Sequence, residues 1–175
     1  WFPNARIVAD RFHVIRLVNQ HFSELCKAID EKQLAHGRGG MMRLLLTRRD
    51  RLTDSQKERL RTYFADRPDI ESLYEFLHDT ADLLRVRAQS IDSCRKYVAE
   101  LLDKIEQLRK TSFAPLRTLG KTLHNWREEV ARMFRFTRNN GITEGFHRKM
   151  KLIQRRAYGF RNFENYRLRV RVLCC

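Results

Sequence analysis

At 175 residues with 33% charged side chains, 7 glycines and 3 prolines, the chain has room for one core and favours long helices over a β-sandwich. Charges interrupt every apolar stretch before it could span a bilayer, and Trp1-Phe2-Pro3 followed by Arg6 is neither an initiator methionine nor a charged-then-apolar leader, so the first residue reads as the middle of a longer protein. The net charge of +15 is uneven: residues 132–175 hold 12 Lys and Arg against 2 acids, the footprint of a polyanion partner, with a solvated helix face or a ribosome-like tail as the ordinary alternative.

Residues 5–9, Ala-Arg-Ile-Val-Ala, are a short, mostly apolar run with β-branched residues at its centre, which predicts one buried strand ending at Asp10. From Arg11 to Leu34, Phe12, Ile15, Val18, Phe22, Leu25, Cys26 and Ile29 recur at helical spacing, and Gly37, Gly39 and Gly40 mark a boundary. Leu44 to Phe136 reads as helices only. Thr53-x-x-Gln56 is a capping box; Pro68 and Asp69 start a helix with Ile70, Leu73, Leu77, Ala81 and Leu84 inward. Ser90 caps another, where Ile91, Cys94, Val98, Leu101, Ile105 and Leu108 recur at three and four. Pro115 suits a first helical turn, followed by Leu116, Leu119, Leu123, Trp126, Val130 and Met133. Packing is expected to join Leu73, Leu77, Leu101, Ile105, Leu123 and Trp126 in one core. Asn139-Asn140-Gly141 is a turn signal, Thr143 is placed to cap a helix reaching about Arg156, and Tyr158-Gly159 breaks it. Asn162 to Val172 fits a helix or a strand equally.

Cys26, Cys94, Cys174 and Cys175 make no C-x-x-C pair, and no histidine stands at zinc-finger spacing from them. They read as reduced, intracellular thiols, with Cys26 and Cys94 as small core residues. His21, His78 and His124 read as helix-surface or boundary residues. No Gly-rich phosphate loop or nucleophile motif is present.

Two carboxylates stand out. Taking Glu144 as the origin of a helical wheel, Arg148, Lys151 and Arg155 fall within about 40° of it, and Phe146, Met150 and Ile153 lie opposite. One face therefore carries a lone acid followed by three cations. Its ordinary reading is a surface helix with a Glu–Arg pair four residues apart. Asp10 follows an apolar run, and an acid there is costly unless it faces a crevice at a strand end; a helix-capping aspartate is the ordinary alternative. Together, carboxylates from separate segments can hold two Mg²⁺ ions about 3.5–4 Å apart for in-line phosphoryl transfer, since Mg²⁺ is a hard ion that prefers oxygen. Basic neighbours would then bind the flanking phosphates.

Two segments carry a family likeness: Ala9-Asp10-Arg11-Phe12-His13-Val14, and Gly141-Ile142-Thr143-Glu144-Gly145-Phe146-His147 through Arg155-Arg156-Ala157-Tyr158-Gly159-Phe160-Arg161-Asn162-Phe163. Both resemble the ISL3 group of insertion-sequence transposases. The resemblance implies that Asp10 is the second catalytic acid and Glu144 the third, both ligating Mg²⁺ or Mn²⁺, with two ions in the complete enzyme. Arg148, Lys149, Lys151, Arg155, Arg156 and Arg161 are the expected DNA contacts. His13 and His147 are candidate supporting residues; His147 stands where many members show asparagine.

The resemblance further implies a fold mainly α in this chain, the C-terminal fragment of an α/β RNase H-like fold with one strand retained, interrupted by an all-helical insertion. Residues 1–40 would then be a strand and helix of the catalytic core, 41–138 the insertion, and 139–175 the catalytic helix and basic tail. The first aspartate would lie upstream, so the chain alone is expected to be inactive. Double-stranded DNA is the expected partner, with a homodimer in the complete protein, no membrane, and a cytoplasmic, nucleoid-associated location. A non-catalytic helical DNA-binding remnant that modulates an intact transposase is the alternative, and a basic protein–protein adaptor a third reading that the end motifs disfavour.

Overall fold

Asp10 opens the first helix. Its Oδ1 accepts hydrogen bonds from the backbone N–H groups of Phe12 at 2.8 Å and His13 at 3.4 Å, satisfying donors that a helix start leaves orphaned. Helix α1 (Arg11–Ile29) then buries Val14, Val18, Phe22, Leu25 and Cys26, the stripe the spacing predicts. Phe12 and Ile29 depart from it at the two ends of the helix, 66% and 37% exposed. The computed structural model describes residues 6–34, 40–88, 90–136 and 141–174, with no side-chain description of 141–143. The expectations placed on Ala5, Gly37, Gly39, Asn139, Asn140, Cys175 and the Thr143 side chain lie outside the described residues.

After α2 (Glu31–Leu34) and α3 (Met41–Leu45), a reciprocal box between Thr53 and Gln56 opens α4 (Asp54–Phe64). Pro68 occupies the first turn of α5 (Pro68–Arg85), and Ser90 caps α6 (Ile91–Lys110). The apolar series from Leu116 to Met133 predicts a single helix, but the chain breaks at Trp126 into α7 (Ala114–Asn125) and α8 (Arg127–Arg135). The break turns the wheel, so Trp126 is 55% exposed and not part of the core as expected. Residues 44–136 contain helices and turns, with no strand among those described.

Two hydrophobic cores result. The first joins α1, α5, α6, α7 and α8 through Phe22, Leu84, Leu101, Leu119 and Phe134, among others. The second joins the end of α1 to α2, α3, α4 and the start of α5 through Cys26, Leu34, Leu45, Leu60, Phe64 and Ile70; Leu73 packs against both. Burial of Cys26 pushes its thiol pKa up to about 11, with the charge of Asp69 adding to the effect, which leaves the thiol unreactive. Asp30, just past α1, bridges to the neighbouring elements. It accepts from Tyr63 Oη at 3.0 Å, Arg67 Nε at 2.8 Å and the Gln33 N–H at 3.2 Å. Burial alone would raise its pKa, but these donors outweigh it and hold the carboxyl below its ordinary value. His78 is buried rather than on a helix surface: its Nε2 donates to the Leu45 carbonyl at 2.9 Å, and burial lowers its pKa.

Helices α6 and α7 approach closely at Gly120. A Cβ there would stand 2.7 Å from the Arg109 nitrogen and 2.8 Å from the Leu108 carbonyl carbon, both backbone atoms that cannot rotate away. Alanine ordinarily gains about 1 kcal/mol over glycine inside a helix, whereas overpacking costs about 1–3 kcal/mol. With backbone as the obstacle the second effect should win. Gly120→Ala is expected to lower the midpoint of denaturant unfolding; a raised midpoint would mean that α6 and α7 are not in this contact.

The strand predicted over residues 5–9 is absent. Residues 6–9 have no regular secondary structure, and no residue among those described is in a strand. A strand needs a neighbour to share its ladder, and here the ladder is replaced by a helix. Ala9 N–H donates to the Glu129 carbonyl of α8 at 3.0 Å, and the Arg132 guanidinium donates to the Ile7 carbonyl at 3.1 Å. The chain divides into two compact units, Trp1–Thr137 and Arg138–Cys175. The first holds α1 to α8, so α1 shares its core with helices from the 41–138 stretch. The second holds α9 (Gly141–Arg156) and α10 (Phe163–Cys174), which pack against each other.

Candidate carboxylate and nucleic-acid site

In the first unit, the backbone bonds at Ala9 and Ile7 hold the segment before Asp10 against α8, and a second anchor follows at once. The Arg11 guanidinium donates to the Val86 carbonyl at 3.1 Å and the Met133 carbonyl at 2.9 Å. Val86 caps the C-terminus of α5 and Met133 lies in the last turn of α8, where unsatisfied carbonyls and the negative helix ends favour a cation. Burial, and then the charge of Arg87, lower the pKa of Arg11. Asp10 is therefore half-buried and fixed on both sides. It is a helix cap, as its ordinary reading has it, and its carboxylate stands at the start of α1. The ring of His13 is exposed and meets Phe12 edge-on at 5.4 Å; it is the backbone N–H of His13 that reaches Asp10.

Sequence reasoning missed Arg11 as an anchor. The signal was present, since Arg11 lies one helical turn before Val14 and Ile15 on the apolar stripe.

In the second unit, α9 carries Glu144, His147, Arg148, Lys149, Lys151, Arg155 and Arg156 at exposed positions. Met150 is half-buried and Ile153 buried on the opposite side, while Phe146 stays 45% exposed. No ion pair joins Glu144 to Arg148 among the described residues, so the ordinary explanation of that spacing is not realised. The helix ends where expected. Tyr158 takes φ 52° and Gly159 φ 95°, and the Gly159 N–H donates to the Gln154 carbonyl at 3.0 Å, closing α9 in a left-handed cap. Asn162 Oδ1 then accepts from the Glu164 N–H at 2.8 Å, and this cap resolves the ambiguous last segment as helix α10.

Between α9 and α10 lies an open groove of about 980 Å³. Arg156 and Arg161, both singled out in the sequence, line it together with Tyr158, Phe160, Phe163 and Arg169, which were not. A smaller hollow of about 450 Å³ has Lys151 and Arg155 on its walls.

A carboxylate suits a hard cation; Glu144 is exposed on α9, whereas Asp10 is half-buried and its carboxylate already caps α1. Among the described residues no group of three or more His, Cys, Asp and Glu side chains is gathered where it could hold a metal ion. No helix is long and apolar enough to cross a membrane, again among the described residues.

A family model described as Transposase, of the DDE ISL3 type, matches residues 1–170. The chain is 27% identical over 175 residues to the transposase for insertion sequence element IS1001 of Bordetella parapertussis, an alignment covering 97% of this chain and 42% of that protein. The chain thus spans less than half the length of that curated relative. No solved structure matches.

Proposed function

This chain belongs to the ISL3 family of DDE transposases, and on that premise we propose that it serves DNA transposition, as the part of a transposase that carries two of the carboxylates for metal-dependent strand cleavage and transfer at transposon ends. The observation that carries the reading is the exposed face of α9, where Glu144 stands beside Arg148, Lys151 and Arg155 with no ion pair between them among the described residues. A carboxylate left available next to cations suits a site that must gather metal and phosphate together.

Asp10 and Glu144, 134 positions apart in the sequence, are the proposed metal ligands. Asp10 contributes from a cap fixed to the helical bundle; Glu144 contributes from the first turns of α9. Mg²⁺ or Mn²⁺ held there would supply Lewis-acid stabilisation of the attacking and leaving oxygens. Arg148, Lys149, Lys151, Arg155, Arg156 and Arg161 hold the phosphates of double-stranded DNA and set its register without reading bases, with His13 and His147 as supporting groups. The complete protein is proposed to be an RNase H-like enzyme with residues 41–138 as its helical insertion, acting as a homodimer on cytoplasmic, nucleoid DNA. Further acidic ligands would complete the site there, so this chain alone is not expected to cut.

Binding of this chain to duplex DNA should be weak, indifferent to sequence and steeply weakened by salt, because each phosphate neutralised adds about −0.9 to the slope of log affinity against log salt. Changing Arg148, Lys151 and Arg155 together to Ala is expected to flatten that slope by up to about 3 units, measured by fluorescence anisotropy across a salt series. A slope unchanged by the triple substitution would remove α9 from the DNA interface.

A further inference from the structure

The turn between α9 and α10 presents rings to solvent in a way that phosphate binding does not require. Tyr158 is fully exposed, and it adopts the left-handed backbone conformation, φ 52°, that L side chains other than Asn and Asp rarely take. Its N–H donates to the Arg155 carbonyl at 3.2 Å, which with the Gly159 bond pins the turn. Phe163, across the groove's rim, is 70% exposed. Phe160 forms part of the wall, packed on Tyr166 at 5.3 Å and covered by the Arg169 guanidinium at 5.8 Å. Arg156 and Arg161 complete the lining, and no carboxylate belongs to it. The nearby Glu164 is paired with Arg167 at 3.7 Å, and Asn162 is committed to capping α10.

Three guanidiniums and three aromatic rings around one open groove match the two things an unpaired nucleotide offers, a phosphate and an accessible base face. Base faces in a duplex are hidden in the stack, so exposed rings gain nothing from intact B-form DNA, which shows only its edges in the grooves. In single strands the faces are open, and base–aromatic stacking tolerates any sequence. We infer that the groove between α9 and α10 binds unpaired nucleotides of single-stranded DNA, stacking bases on Tyr158 and Phe163 while Arg156, Arg161 and Arg169 hold the flanking phosphates. The inference rests on the DNA-binding reading of α9 and, for Arg156 and Arg161, replaces the duplex by an unpaired strand as the DNA they hold.

The test uses the 175-residue chain and a labelled 12-nucleotide single strand, the same strand with abasic sites, an RNA strand of that sequence, and the duplex, followed by fluorescence anisotropy. The single strand should bind best, with the abasic strand and the Tyr158→Leu/Phe163→Leu double variant each weaker by at least about ten-fold. Tyr158→Phe should restore stacking and keep the affinity. The double variant should leave the salt slope unchanged, since phosphate contacts remain. Both rings are exposed, so the variants should keep the circular dichroism spectrum of the parent. Duplex bound as tightly as the single strand, abasic strand bound as well as the intact one, or affinity indifferent to the double variant would overturn the groove while leaving duplex binding by α9 in place. Preference for the RNA strand would overturn the assignment to DNA. Binding of no nucleic acid would overturn both.

Discussion

Replacing Glu144 with Gln in a protein that comprises this chain and the rest of a full-length family member is expected to abolish Mg²⁺-dependent nicking of transposon ends while leaving DNA binding intact or slightly stronger. The amide keeps the size and the helix but loses the negative charge, and a neutral amide oxygen holds Mg²⁺ more weakly than the carboxylate it replaces. Binding should not suffer, because removing an anion from a face that carries Arg148, Lys151 and Arg155 raises the local positive potential. Glu144 lies exposed on α9 with no ion pair among the described residues, so its loss breaks no structural bond. The readout is therefore a split: nicking followed on a supercoiled plasmid bearing transposon ends disappears, and gel-shift affinity stays. Metal-dependent nicking at the parental rate would remove Glu144 from the ligand set. Asp10→Asn makes a less clean probe, since Asp10 also caps α1 and its substitution weakens a helix start.

The second large effect is on stability. Leu101 is wholly buried in α6, in the core shared with α1, α5, α7 and α8. Leu101→Ala should cost about 2–5 kcal/mol, the sum of lost transfer energy and the cavity left by neighbours that only partly relax. Domains of this size are stable by about 5–15 kcal/mol, so the variant should unfold at markedly lower denaturant, as followed by circular dichroism at 222 nm. A loss under about 1 kcal/mol would be out of line with a fully buried leucine.

What the sequence makes legible in this chain is local. The boxes at Thr53–Gln56 and Ser90, and Pro68 at the head of α5, announce helices because the bonds that make them close within three or four residues. Where bonding partners are remote, the pattern misleads. Ile7 and Val8 look like strand residues, yet what residues 7–9 meet is α8, some 120 positions on, and a helix offers no ladder. Trp126 keeps perfect spacing with Leu119 and Leu123, but no glycine or proline marks the break that turns it outward. The alternation Arg167-Leu168-Arg169-Val170-Arg171-Val172 imitates a strand, and the cap at Asn162 decides against one. His78 gave no sign of burial because its acceptor, Leu45, lies 33 residues earlier. The site shows the same division. The wheel anticipates the exposed cationic face of α9, since a helix sets its own periodicity. The hold on Arg11 and the groove between α9 and α10 depend on elements distant in sequence or on a turn whose shape the composition does not encode.

The knot at Arg11 has a consequence for how such a chain can change over generations. Three helix ends meet at one guanidinium, from positions separated by 75 and 122 residues. What fixes Asp10 in space is this junction, together with the bonds of residues 7 and 9 to α8, and not the number of residues that lead from it and back. Loops between the helices on that long excursion can gain or lose residues at little entropic expense, provided the ends of α5 and α8 still return their carbonyls to the same cation. Length drift in the middle of the chain is thereby uncoupled from the position of the acid at its start, whereas a change at Arg11, one residue from that acid, would be felt by all three helices at once.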